Sequence, residues 1–278
     1  MNYINGISEK DHQINLEIIK QLRLMDDDFM SMAFDGEKEA TELLLHIVLQ
    51  RSDIKVEEVS VQKEYRSITE RTIKLDIYAK DINGKTYDIE IQRADRGAIP
   101  QRARFHSSMI DSQLLGSGEP FSKLSESYVI FITENDVLGL GCPLYHIERR
   151  IEEAKFANFN DGSHILYVNG SYHNNDDPIG RLMHDFRCVN AADMYEPLAK
   201  RMQYLKEEEG GQGNMCKLIE DRVNQVAAEV AAESEAKTKI EMMRTLINES
   251  GFSIEQALAV AKIPASEQDT YRKLLTEE

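Results

Sequence analysis

Two short runs of strict two-residue period, joined by a turn signal, constrain this chain more than anything else in its sequence. Residues 72–80 read TIKLDIYAK and residues 86–92 read TYDIEIQ. Ile73, Leu75, Ile77 and Ala79 fall on one face of the earlier run, with Lys74, Asp76 and Tyr78 on the other. In the later run Tyr87, Ile89 and Ile91 oppose Asp88, Glu90 and Gln92. Between the runs, Asp81-Ile82-Asn83-Gly84 carries the Asn-Gly pair that most readily takes the positive φ of a hairpin turn. A hairpin with one apolar face must bury that face against a second layer, so the chain is committed to a layered fold built on a sheet.

The polar face carries the chemistry. Mg²⁺ prefers hard oxygen ligands, usually one or two carboxylates completed by water and substrate phosphate. Asp76 and Glu90, on neighbouring strands, supply such a pair if they project the same way. A two-residue turn at Asn83-Gly84 pairs Asp76 with Ile91 and sends the carboxylates to opposite faces. A three-residue loop, Ile82-Asn83-Gly84, pairs Asp76 with Glu90. Both loops are open to this sequence, and the metal reading requires the second. The competing account of Asp88-x-Glu90-x-Gln92 is a solvated, charged strand face. The backbone carbonyl of Ile91 and the carboxylate of Glu42 are further oxygen candidates. Arg93, Arg96, Arg102 and Arg104 fall within twelve residues containing a single acid, Asp95. Arg contacts phosphate bidentately, so this cluster suits a nucleic-acid approach path; the alternative is surface ion pairing with acids such as Asp95 and Asp111.

The flanking pattern completes a domain. Residues 10–24 read as an amphipathic helix, and Asp35 opens another that carries Leu43, Leu44, Ile47 and Leu49. Residues 54–65 suggest a first strand, 99–115 a helix started by Pro100, and 127–133 and 164–169 buried strands. The order helix, three strands, helix, strand is that of an α/β layer domain, taken as residues 1–205. A polar, Gly-rich linker is expected at 206–213 and a helical C-terminal region at 214–278. There Ile219, Val223, Val226 and Val230 form a partial heptad seam on a long helix, suited to a homodimer, followed by two short helices. A helix-turn-helix is one reading of that closing pair; a plain helical hairpin is the simpler one.

Composition narrows the function. A net charge of −16 excludes a passive, sequence-independent nucleic-acid binder, because phosphate neutralisation needs clustered cations, but it leaves a local basic cleft. Cys142, Cys188 and Cys216 have no paired spacing and read as reduced thiols, pointing to the cytoplasm. There is no apolar run long enough to span a membrane. Phosphate-loop, dinucleotide-loop and nucleophile-elbow motifs are missing, and no His pair has zinc spacing.

The stretch LDIYAKDINGKTYDIEIQR, with Asp76, Glu90 and Gln92, resembles the PD-(D/E)XK nuclease superfamily, and within it the recombination-promoting nuclease or transposase branch. DDDFMSMAFDG, RARFHSSMI and YVIFIT are weaker likenesses, and together they span roughly residues 26–170. The resemblance implies a restriction-endonuclease-like core with a helical C-terminal extension and metal-dependent endonuclease activity on DNA. It assigns catalysis to Asp76, Glu90 and Gln92. Mg²⁺ or Mn²⁺ would be held by Asp76, Glu90 and the Ile91 carbonyl, with Glu42 as an added ligand, and the Arg cluster would offset phosphate charge. Gln92 stands where the broader superfamily has Lys and cannot supply positive charge, so Lys63, Lys74 or an Arg of 93–104 is expected to compensate. The alternative function is a catalytically weak nuclease-fold module that binds DNA or protein.

Overall fold

The computed structural model describes residues 3–4, 7–66 and 72–276. The chain divides into two units, Met1–Lys217 and Leu218–Glu278.

In the first unit three helices, α1 (Glu9–Gln21), α2 (Asp27–Phe34) and α3 (Lys38–Leu49), precede strands β1 (Val56–Arg66), β2 (Thr72–Asp81) and β3 (Thr86–Gln92). Helix α4 (Pro100–Leu114) then leads to β4 (Ser127–Thr133), β5 (Leu144–Ile147) and β6 (Ser163–Asn169), followed by α5 (Pro178–Arg187) and α6 (Glu196–Glu207). The order helix, three strands, helix, strand holds as expected. The strands form one mixed sheet in the order β1-β2-β3-β4-β6-β5. β1, β2 and β3 pair antiparallel, β3, β4 and β6 run parallel, and β5 is an antiparallel edge. Every residue of β4 is buried, as its continuous apolar run requires of a central strand.

The β2–β3 turn resolves the register. Asp81 N–H bonds to the Lys85 carbonyl, and Gly84, at φ 80°, donates to the Asp81 carbonyl. The loop is therefore the three-residue form, Ile82 to Gly84, with glycine where the left-handed conformation is needed. The ladder pairs Ile77 with Ile89 and Tyr78 with Asp88, so its continuation sets Asp76 opposite Glu90.

One expectation about faces fails. Strict alternation would send Leu75 and Tyr78 to opposite sides of the sheet. Both lie, with Ile73, in the cluster beneath α4 that includes Ala103, Ile110, Val129 and Phe131. The alternation breaks at Asp76. Across from it on β1, between the pairs Val61–Ile77 and Lys63–Leu75, sits Gln62 at φ 56°. A single left-handed residue re-aims the strands there, as bulges do elsewhere.

The polar, Gly-rich stretch 206–213 is helical except around Glu208, because α7 (Glu209–Ser250) starts directly after α6. One of its glycines serves close packing: a Cβ on Gly211 would stand 2.0 Å from the Tyr204 carbonyl oxygen. In the second unit, α7 is followed by α8 (Ile254–Val260) and α9 (Gln268–Thr276). Met243, Ala257, Leu258, Ile263 and Tyr271 make its core, and Ser253 with Gln256 forms a capping box at the start of α8. Residues 277–278, the end of the expected C-terminal region, lie outside the described residues. Val223, Val226 and Val230, three residues of the expected seam, are 61%, 45% and 59% exposed.

Candidate active site

The polar face of the hairpin is covered by α4, and its acids are buried rather than solvated: Asp88 and Glu90 are both 0% exposed. Parallel pairing sets Asp88 beside Val129 and Glu90 beside Phe131, on the face that α4 packs against.

At Asp76 the carboxylates take the place of the backbone ladder. The Ile91 N–H donates to Asp76 Oδ2 at 2.9 Å, and the Asp76 N–H donates to Glu90 Oε1 at 3.1 Å. Since N–H and C=O of an extended residue leave from the same edge, the Ile91 carbonyl faces the same gap as Asp76. Gln62, opposite, donates its side-chain amide to Ser31 on α2. The left-handed conformation costs a non-glycine residue about 1–2 kcal/mol and is retained here beside the carboxylates.

Helix α4 brings two further groups. Arg102 donates from Nη2 to Glu90 Oε2 at 2.8 Å, and from Nη1 to Gln92 Oε1 at 3.3 Å and the Gly97 carbonyl at 3.1 Å. His106 Nδ1 lies 2.9 Å from Asp88 Oδ2 and 3.7 Å from Glu90 Oε1, and its Nε2 is 3.3 Å from Arg102 Nε. The second oxygen of Asp88 is buried with no hydrogen-bond partner among the described residues. Asp88, Glu90 and His106 form a cluster whose candidate ligand atoms lie within 4.8 Å of one another.

The electrostatics follow from burial and crowding. Burial, then the Glu90 charge, push the Asp76 carboxyl up to about 7, with Asp27 adding to the rise and Arg102 opposing it. Glu90 is pushed up to about 8 by burial and by Asp88, against the pull of His106 and Arg102. Asp88 is raised well above the usual carboxylate range by burial, and burial lowers His106. Like-charged oxygens held together in a low-dielectric site are a donor set for a hard divalent cation, so the residues present fit such an ion.

The remaining candidates separate. Glu42 is not brought to the cluster. Its carboxylate accepts from the Val56 N–H at 2.8 Å and pairs with Lys55. Val56 pairs with Asp81, five residues along β2 from Asp76, which is about 16 Å of strand. The helical acid that does act on Asp76 is Asp27, in the first turn of α2. Arg93 is held by Asp26 and Glu134, and Arg104 is exposed on α4. Lys63 lies over the Tyr78 ring, 3.2 Å from its centroid. Arg96 and Arg102, with Lys74, line a cavity of about 580 Å³ bounded also by Ile73, Ile99 and Phe105. Asp27, Asp88, His106 and Gln62 were not foreseen as site residues. Two of them had a signal: Asp88 shares the strand face of Glu90, and Arg102 and His106 are one helical turn apart.

The family model described as PD-(D/E)XK nuclease family transposase matches residues 32–247. No curated protein and no solved structure gives a match.

Proposed function

This chain belongs to the PD-(D/E)XK nuclease family transposases, and from that premise we propose that it is a metal-dependent endonuclease hydrolysing phosphodiester bonds of DNA, with a role in recombination or transposition. Its mixed sheet flanked by helices is consistent with the restriction-endonuclease-like fold. The observation that carries the reading is the meeting of Asp76 and Glu90 across β2 and β3, where their carboxylates replace the backbone ladder.

Asp76, Glu90 and the Ile91 carbonyl would hold Mg²⁺ or Mn²⁺. Such an ion supplies Lewis acidity toward the phosphoryl group and lowers the pKa of water. Gln92 has a defined part. Because a guanidinium only donates, it is the Gln92 carbonyl oxygen that faces Arg102, and the side-chain NH₂ would serve as a donor for a phosphate oxygen. Arg96, Arg102 and Lys74 present positive charge along the cavity, so an acidic protein still offers DNA a local cationic wall. Arg93 and Arg104 are peripheral in this reading. A homodimer through α7 is part of the same proposal, supported by the exposed Val223, Val226 and Val230, and it would give two active sites for two strands. A cytoplasmic location is proposed from the three free cysteines.

The second reading, a nuclease-fold module without strong activity, is favoured by one contact: the Arg102–Glu90 ion pair already neutralises one carboxylate. Cleavage of supercoiled and linear DNA in Mg²⁺, Mn²⁺ or EDTA separates the two. The endonuclease reading expects metal-dependent cutting that is abolished by EDTA, by Asp76→Ala and by Glu90→Ala. DNA binding by the parent without cleavage, unchanged in both variants, would establish the module instead.

A further inference from the structure

Gln92 leaves the site without a cation on its strand, and the structure points to what replaces it. We propose that Arg102 is the cation that meets the phosphate being cut, and that Asp88 and His106 are positioning residues that hold its guanidinium there. The proposal rests on the nuclease reading above and deepens it.

Hydrogen-bond chemistry decides the direction of this chain. A guanidinium has five N–H donors and no acceptor. Arg102 Nε approaches His106 Nε2 at 3.3 Å, so that ring nitrogen must present a lone pair and the proton must sit on Nδ1. Nδ1–H is then aimed at Asp88 Oδ2, 2.9 Å away. The sequence carboxylate, imidazole, guanidinium runs from the fully buried Asp88 through the nearly buried His106 to Arg102, whose side chain is 35% exposed. A neutral imidazole donating to a carboxylate through one nitrogen and accepting through the other cannot rotate or flip without losing a bond.

This assignment competes with another use of the same residues. Asp88, Glu90 and His106 are close enough to be considered a metal site. A metal would need an imidazole lone pair, and the one available faces a guanidinium. Both ring nitrogens are already committed. His106 therefore serves Arg102 rather than an ion.

Arg102 is placed to act. Four of its five donors are used, on His106, Gln92, Gly97 and Glu90, which leaves one Nη2 N–H without a partner among the described residues. It lines the same cavity as Lys74 and Arg96. A planar fork anchored on three sides presents its charge at a fixed point, as stabilisation of charge developing on a phosphoryl oxygen requires.

The test compares wild type with Arg102→Ala, Arg102→Lys, His106→Ala and His106→Gln, alone and combined, in Mg²⁺-dependent DNA cleavage. Arg102→Ala is expected to lower kcat about a hundredfold or more with little change in KM, partly restored by added guanidinium ion. His106→Ala is expected to cost about tenfold to a hundredfold alone, and nothing further in the Arg102→Ala background. If Arg102→Ala cuts like wild type, or the His106 effect carries undiminished into the double variant, the proposal is overturned. Should either alanine variant fail to fold by circular dichroism, Arg102→Lys and His106→Gln carry the comparison, and full activity in Arg102→Lys combined with His106→Gln overturns it. A readout apart from activity is the ¹⁵N spectrum of His106. The Nδ1–H tautomer, unmoved by titration with Mg²⁺ or Zn²⁺, supports the positioning role; an Nε2–H tautomer or a metal-bound ring refutes it. A wild type that does not cleave while Asp76→Ala behaves identically defeats the nuclease reading and the catalytic part of this proposal together. A cleaving wild type with an indifferent Arg102→Ala defeats the proposal alone.

Discussion

The two ends of one hairpin hold buried and part-buried acids that are treated in opposite ways. At the turn, Asp81 is 1% exposed and its carboxylate accepts from the Asn83 and Lys85 N–H groups at 2.9 Å and from the Tyr87 hydroxyl at 3.0 Å. Five residues away along β2, Asp76 accepts a single backbone N–H; beside it on β3, Glu90 shares its oxygens between the Asp76 N–H and Arg102, and one oxygen of Asp88 has no hydrogen-bond partner among the described residues. An ionised carboxylate has about four acceptor sites. Asp81 fills most of them and thereby ties the turn together. The other three are crowded, short of donors and pushed toward protonation, a state that costs stability in the fold itself and makes sense where a cation or substrate completes it. Burial alone does not mark a functional acid; the donor count does.

The largest effect that would break this contrast lies in activity. Asp76→Asn and Glu90→Gln should each lower DNA cleavage by about three orders of magnitude while leaving Tm unchanged or raised, because each removes a repelling buried charge. Asp81→Ala should do the reverse. Stranding the Tyr87 hydroxyl and two turn N–H groups should cost about 2–4 kcal/mol in a denaturant titration, with the fraction that stays folded still cutting. If Asp76→Asn destabilised and Asp81→Ala did not, the two ends would have been assigned backwards.

The pH dependence comes next. Asp76 at about 7 and Glu90 at about 8 lie above the ordinary values of 3.8 and 4.5 that the unfolded chain would show. Between those limits the folded state binds more protons than the unfolded one, so stability falls as pH rises from about 4 to about 8. Metal-free protein should therefore show a declining Tm across that window, flattened in Asp76→Asn combined with Glu90→Gln. Added Mg²⁺ should raise Tm more at pH 8 than at pH 5. The smallest effect concerns the strand opposite: Gln62→Val, which cannot easily take a positive φ, should cost about 1–2 kcal/mol and slow cleavage.

Local chemistry made half of this site readable. The alternation of both strands, the Asn-Gly turn and the placement of Asp76, Glu90 and Gln92 are written in neighbouring residues, and the Asp81–Lys85 closing bond with the strand register distinguishes the two loops that the sequence left open. The rest depends on contacts far apart in the chain. That Asp88 and Glu90 are buried follows from α4 lying over their face, and the roles of Arg102 and His106 follow from the same docking. Arg93 read as a phosphate ligand because Asp26 and Glu134, which hold it, come from 67 residues before it and 41 after it. Glu42 was a candidate only as a carboxylate on the helix before the strands, whereas it starts β1 by binding the Val56 N–H, and Asp27 is the helical acid that acts on Asp76. The glycines at 210–213 suggested a joint, whereas the stretch is helical from Glu209 and Gly211 lets the start of α7 pack on the end of α6.

Calorimetric titration of the intact protein with Mn²⁺, beside Asp76→Asn and Glu90→Gln, tests the central contrast most directly. A saturable site is expected in wild type, abolished by both substitutions and left intact by Asp81→Asn. Binding that persists in both site variants, or fails in a folded wild type, would contradict it.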